Sequence, residues 1–276
     1  SFRTYIRLFA NAGAHQTTSR PKAVFVALMT RIRDNSVNPV GVSWPMIRSP
    51  VSANIQNLSV SPARTMNADP LSRSQPLSIS DTTAAVDAAI SGRRSIRAFV
   101  PDAVPRATVE AILHTAARAP SGTNTQAWRV YVVTGAARQA LVDEVSAVYD
   151  DADARAQHTE PYSYYPTQWL SPYIDRRRKV GWDLYSLLGI GKGDKARMHA
   201  QHRRNFAFFD APVGLMFTLD RVMAHAHGPW IDLGMFMQNV MVGARARGLD
   251  TCPQAAWAQY HRIIARHVGI ADSEIF

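Results

Sequence analysis

The stretch Ser91-Gly92-Arg93-Arg94-Ser95-Ile96-Arg97-Ala98-Phe99 decides how the rest of the chain is read. A helical run leads into it: Asp81 and Thr82 are good N-caps, Val86 and Ile90 lie one turn apart, and Gly92 is a good terminator. Beyond Gly92 the segment reads as extended, so alternate side chains face the same way. Arg93, Ser95 and Arg97 then share one face, two guanidinium groups with a hydroxyl between them. Such a face receives a phosphate dianion well, because guanidinium donors are held in a fork and always charged. A solvated basic strand edge has the same pattern, and this stretch alone leaves both readings open.

A second stretch, one helix further on, shifts the balance: Ala119-Pro120-Ser121-Gly122-Thr123-Asn124-Thr125-Gln126-Ala127-Trp128-Arg129. Pro120 stops a helix. Ser121, Gly122, Thr123 and Asn124 form a loop offering hydroxyls, an amide and a flexible backbone. Trp128 opens a strand running to Thr134. An ordinary helix-to-strand turn rarely needs so many small polar side chains and a glutamine in sequence.

Taken together, the two stretches resemble the FMN-dependent nitroreductase family. The family pattern is R-R-S-x-R-x-F followed by P-S-G/S-x-N-x-Q-P-W, and here Ala127 stands where proline is usual. Asn205-Phe206-Ala207-Phe208-Phe209-Asp210-Ala211-Pro212 and Thr251-Cys252-Pro253-Gln254-Ala255-Ala256-Trp257 look like its nitrobenzoate-reductase branch. Four motifs in order, spread from Thr82 to Phe276, make a specific match.

The resemblance implies an α+β fold, a small mixed sheet flanked by helices, assembled as a homodimer. It implies FMN, with NADPH or NADH as electron donor. Arg93, Arg94, Ser95 and Arg97 would hold the phosphate, ribityl chain and ring edge. Pro120, Ser121, Gly122, Asn124 and Gln126 would complete the cofactor site of the other subunit, so that active sites are shared. Pro253, Gln254 and Ala255 would place a backbone N–H near flavin N5. No side chain need serve as nucleophile or base, since a flavin carries its own hydride chemistry. The implied reaction is a ping-pong hydride transfer to a small aromatic acceptor, a nitrobenzoate-like nitroaromatic or a quinone. Family members continue beyond the counterpart of Phe276 with a last core strand and an arm around the partner. The C-terminal end therefore reads as incomplete, and the alternative function is a flavin-binding protein without turnover.

The formal charge of +10 invites a nucleic-acid reading, but its distribution opposes it. Residues 1–65 hold eight basic side chains against the single acid Asp34, a net +7. The other 211 residues hold 23 basic and 20 acidic groups, a net +3, as in an ordinary enzyme. Residues 1–65 show no sustained period, and Ser, Asn, Pro and Arg dominate them. They read as a mostly disordered or non-native tail, with a chain start at Met66, an organellar transit peptide or a nucleic-acid arm as the competing explanations. Residues 66–80 then form a linker, and residues 81–276 the FMN-binding domain. No partner nucleic acid or membrane is expected: no run of 18 apolar residues exists. The single cysteine, Cys252, excludes an internal disulfide framework and points to the cytoplasm, or an organelle if the tail is a transit signal.

The remaining pattern supports one domain. Pro105 suits the first position of a helix whose Val109, Ile112, Leu113 and Ala116 line one face. Trp128–Thr134 is apolar on both faces, as a central strand is. A helix over Ala136–Tyr149 presents Leu141, Val145 and Val148. Residues 150–172 are polar and aromatic. The helix over Ile174–Leu188 carries Arg176, Arg177, Arg178 and Lys179, which cannot share one face; one of them is free to reach a cofactor or an acidic substrate. Val213–Leu219 reads as a strand and Ile231–Arg247 as a long Met-rich helix, with Gly234 and Gly243 positioned for close approach. Nine histidines show no metal spacing, and neither H-E-x-x-H nor G-x-S-x-G occurs.

Overall fold

A strand buried on both faces fixes the architecture. Trp128–Thr134 pairs antiparallel with Val213–Asp220 along its whole length, from Trp128 opposite Leu219 to Thr134 opposite Val213. Its odd and even side chains serve different cores, as strand alternation requires. Tyr131 and Val133 join one core with Leu141, Val145, Phe206, Phe208, Trp257 and Ile264. Val130 and Val132 join the other with Ile112, Leu113, Leu215, Phe236 and Val240. Helices therefore cover both faces of a small sheet.

The computed structural model describes residues 78–276 and the short segments 6–9, 22–23 and 25–27. In chain order the described elements begin with β1 (Ile6–Phe9), β2 (Lys22–Ala23) and β3 (Phe25–Ala27). Then come α1 (Ile79–Gly92), α2 (Arg106–Ala116), β4 (Trp128–Thr134), α3 (Gly135–Asp150), α4 (Ala152–Ala156), α5 (Tyr173–Leu187) and α6 (Lys195–Arg203). The chain continues with β5 (Val213–Asp220), α7 (Arg221–Ala224), α8 (His227–Arg245), β6 (Leu249–Asp250), β7 (Pro253–Gln254), α9 (His261–Val268) and β8 (Glu274–Ile275). The larger sheet has the order β1-β4-β5-β3-β7, with β8 also on β5, and β2 pairs β6 separately. Parallel pairs (β1 with β4, β3 with β5 and β7) and antiparallel pairs (β4 with β5, β5 with β8) occur together. The fold is α+β with a mixed sheet.

Several boundaries differ from the expectations. The first helix starts at Ile79 rather than after Asp81, because Ser78 is the N-cap and its hydroxyl accepts from the Asp81 N–H. Pro105 sits one position earlier than expected, as the N-cap of α2. In α3, Val142 and Tyr149 are buried with Leu141 and Val145, while Val148 is only partly covered. α8 begins at His227, four residues before Ile231, and ends at Arg245. Gly243 does meet α2, at Ile112, whereas nothing lies within 4 Å of a Cβ at Gly234. The tail expected to lie outside the fold contributes three short strands, β1, β2 and β3; the rest of residues 1–77, and with it the linker reading of 66–77, lies outside the described residues.

Between α6 and β5 the chain makes a strained turn. Phe208, Phe209 and Asp210 have φ of 55°, 50° and 72°, a region that β-carbons disfavour. The turn drives Phe206, Phe208 and Phe209 into the core, each at most 1% exposed. The Phe209 carbonyl, turned out by that geometry, accepts from the Phe99 N–H at 3.0 Å. One end of the arginine-rich segment is anchored there.

Candidate functional site

The other end of that segment is anchored on the chain after β6. Ser95 forms an isolated parallel bridge with Thr251, and the Ile96 N–H donates to the Thr251 carbonyl at 3.1 Å. Held at both ends, residues 93–99 run extended. Arg93, Ser95 and Arg97 are half-buried and Arg94 is exposed, while Ile96 packs against the core that holds Phe99. The Arg94 guanidinium turns back and donates to the carbonyls of Ser91 and Arg93 at the end of α1. Arg93 and Arg97 instead act together on Cys252: burial pushes its thiol up to about 11, and the two guanidinium charges oppose that rise. Cys252 is 1% exposed and a neutral thiol at physiological pH, so no thiolate nucleophile stands beside the two arginines.

Two further polar atoms here are buried without a hydrogen-bond partner, Arg93 Nη1 and Thr251 Oγ1. An unpaired buried guanidinium N–H is costly unless an acceptor meets it. The arginine strip therefore carries an unmet donor of the kind an anionic or carbonyl-rich ligand satisfies.

Beside the strip lies a cleft of about 390 Å³. Arg97 lines it with Cys252, Pro253, Gln254 and Ala255, and it extends to Asn205, His202, Glu160, Tyr165 and Arg177. The Gln254 side chain is fully engaged: its Nε2 donates to Asn205 Oδ1 at 2.5 Å, and its Oε1 accepts from Trp257 Nε1 at 3.1 Å. That clamp orients the 253–255 backbone at the cleft. His202 is held below its ordinary pKa, first by burial and then by His199 and Arg155. It enters the cleft as an uncharged ring at neutral pH.

The polar loop forms a separate unit. Thr123, Asn124 and Gln126 have φ of 47°, 60° and 49°. The Gly122 N–H donates to Asp232 Oδ2 of α8 at 3.1 Å, and Ser121 Oγ accepts from the Gln126 N–H at 3.1 Å. Gln126 Nε2 donates to Asn124 Oδ1 at 2.7 Å. Of the residues singled out in the sequence, Arg97, Pro253, Gln254 and Ala255 meet in the cleft, and Arg93 and Ser95 adjoin it. None of residues 120–126 lines it.

Sequence reasoning passed over Thr251 as the docking partner of Ser95, Asn205 as the clamp of Gln254, and Asp232 as the anchor of Gly122. Asn205 and Thr251 open two of the quoted phrases, and that was their signal. Asp232 had none, since its partner is 110 residues away. Of the histidines, His199 pairs with Asp150 at 2.9 Å and stacks on Tyr149. Among the described residues no cluster of His, Cys, Asp or Glu has a metal-holding arrangement.

Residues 90–276 match the model of the Nitroreductase family. A 4-nitrobenzoate reductase of Nocardioides sp. (strain LMS-CY) is 39% identical over 197 residues, 71% of this chain and 78% of that protein. A chloronitrobenzene nitroreductase of Comamonas testosteroni is 37% identical, over 70% of this chain and 84% of that protein. Among solved structures, the FMN- and NADPH-dependent nitroreductase NfnB of Sphigopyxis sp. strain HMH superposes with a TM-score of 0.65 at 38% identity, covering 69% of this chain and 83% of that one. The FMN-dependent NfnB of Mycobacterium smegmatis in complex with NADPH gives 0.64 at 31% identity, covering 71% and 85%.

Proposed function

We propose that this chain, which belongs to the nitroreductase family, is an FMN-dependent oxidoreductase using NADPH or NADH to reduce a nitroaromatic, nitrobenzoate-like, or quinone-type acceptor. The observation that carries this reading is the convergence of Arg93 and Arg97 on Thr251–Ala255 at the edge of the cleft, with Arg93 Nη1 buried and unpartnered. A phosphate or a carbonyl-rich ring edge answers that unmet donor by a charge-assisted hydrogen bond. The residues present fit FMN.

In this reading Arg93, Ser95 and Arg97 would hold the phosphate, ribityl chain and ring edge, and the backbone of Pro253, Gln254 and Ala255 would serve the ring. Arg94 supports them from behind by tying Arg93 to the end of α1. Bound there, FMN would supply the redox chemistry, hydride exchange between NAD(P)H and the acceptor. The chain's own work is to bind and orient. Arg97 keeps a permanent positive charge at the cleft, which favours negative charge developing beside it. Donor and acceptor enter the one cleft in turn, a ping-pong order. Neither Cys252, a neutral thiol, nor His202, an uncharged ring, takes up the reaction.

The loop Pro120–Gln126 is assigned to the cofactor of a second subunit, in a homodimer with shared sites. Its exclusion from its own chain's cleft supports this. So does the exposed apolar surface of α1 and α8, where Ile79, Val86, Ile90 and Ile231 are 49–89% exposed. Among the described residues no helix is long and apolar enough to cross a membrane. A buried free thiol fits a reducing compartment, and we place the protein in the cytoplasm. Anaerobic NADPH oxidation tests the activity: the rate should require both FMN and 4-nitrobenzoate. A rate indifferent to either would contradict the reading.

A further inference from the structure

The run Arg176-Arg177-Arg178-Lys179 on α5 is not used by the cofactor assignment, and its four cations have separated fates. Lys179 pairs with Asp183 at 2.7 Å. Arg177 alone of the four lines the cleft. Its guanidinium carbon stands 4.5 Å from the ring centre of Trp169 and 5.1 Å from that of Tyr165. Cation–π contacts of this kind engage the guanidinium face and leave its N–H edge available. Among the described residues no acceptor meets that edge.

We propose that Arg177 is the residue that reads the carboxylate of a benzoate-type acceptor, giving the cleft a preference for anionic over neutral nitroaromatics. The proposal rests on the function proposed above, and assigns specificity within it. Two cations, Arg97 and Arg177, and one carboxylate, Glu160, line the cleft, and His202 is uncharged there. Arg97 belongs to the cofactor strip, which leaves Arg177 as the cation for the substrate. A guanidinium fork matches a carboxylate in a bidentate pair, and the aromatic shelf of Tyr165 and Trp169 holds the fork in place before the substrate arrives. Glu160 works against an entering anion.

The test uses flavin-loaded protein with two readouts. One is the dissociation constant of benzoate by calorimetry, and the other is the ratio of kcat/KM for 4-nitrobenzoate to that for nitrobenzene. Arg177→Gln should weaken benzoate about tenfold or more and lower the ratio by a similar factor, as loss of a charged hydrogen bond does. Arg177→Lys should recover part of both, because it restores the charge without the fork. Glu160→Gln should move both readouts the other way. An unchanged benzoate constant and ratio in Arg177→Gln would overturn the proposal. So would a loss confined to kcat/KM for NADPH, which would make the donor phosphate the anion read there. A wild-type protein that reduced neither nitroarene would overturn the proposed function instead, and the benzoate titration would still decide the role of Arg177.

Discussion

At the scale of single residues, the site is built from side chains whose partners lie far away in sequence. Arg93 and Arg97 are brought to Cys252 by one backbone bridge, Ser95 to Thr251. Their shared face was legible because it needs only strand alternation, and the half-buried, exposed, half-buried pattern at 93–95 follows it. The pairing of Asn205 with Gln254 was not legible, since no local rule pairs residues 49 positions apart. Replacing Arg93 or Arg97 by alanine should weaken FMN binding roughly tenfold or more, the weight of a charge-assisted hydrogen bond. Equilibrium titration of FMN into the apo variants measures this, and unchanged constants in both would remove the assignment of the strip to the cofactor.

At the scale of elements, apolar pattern carried most of the reading and cap chemistry set its limits. Strand β4 has the expected bounds, because continuous apolar character between a loop and a glycine has one simple solution. Helix α1 began earlier than expected, because Ser78 outcompetes Asp81 as a cap once Asp81 donates its own N–H to it. The turn at Phe208–Asp210 gave little local signal, for nothing in two successive phenylalanines announces positive φ, although Asp210 is a residue type that tolerates it. Next to that turn, a Cβ at Gly214 in β5 would come within 2.7 Å of both Phe208 and Val133. Gly214→Ala should therefore cost about 1–3 kcal/mol of stability by overpacking, read as a lower denaturant midpoint. α3 and α9 are stapled by Glu144, which pairs with both Arg266 and His267. Burial pushes the Glu144 carboxyl up, but those two partners outweigh it and hold it below its usual range. A depressed carboxylate stabilises above its unfolded pKa of about 4.3 and loses that contribution as pH falls through its folded value. The pair is partly exposed, so solvent screening keeps the effect below about 1 kcal/mol. Glu144→Gln should flatten the fall in Tm at acid pH; an identical acid limb would exclude the staple.

At the scale of the whole molecule, the chain holds one half of its proposed site in the cleft and presents the other half, the loop 120–126, elsewhere. A complementation experiment addresses that arrangement. Arg93→Ala spoils one half of each site and Asn124→Ala the other, so a heterodimer would carry one doubly altered site and one intact site. Co-expressed, the two variants should show activity that neither has alone; heterodimers demonstrated by mass without such recovery would place each site within a single chain. The basic N-terminal segment is the least legible part, because its composition predicted no packed core while β1 and β3 pair with the sheet. β3 lies between β5 and β7 and pairs Val26 with Pro253 and Ala27 with Gln254 at the cleft. A protein lacking residues 1–65 should therefore hold its flavin more weakly, and undiminished flavin binding would set those strands outside the site.

The central claim is that this cleft binds FMN and exchanges electrons with a nicotinamide donor and a nitroaromatic acceptor. The visible absorbance spectrum of the purified, FMN-reconstituted protein under anaerobic conditions tests it most directly. The account predicts a flavin band that survives gel filtration, bleaches on addition of NADPH and returns on addition of 4-nitrobenzoate. A colourless protein after gel filtration, or a bound flavin that NADPH leaves unbleached, would contradict it.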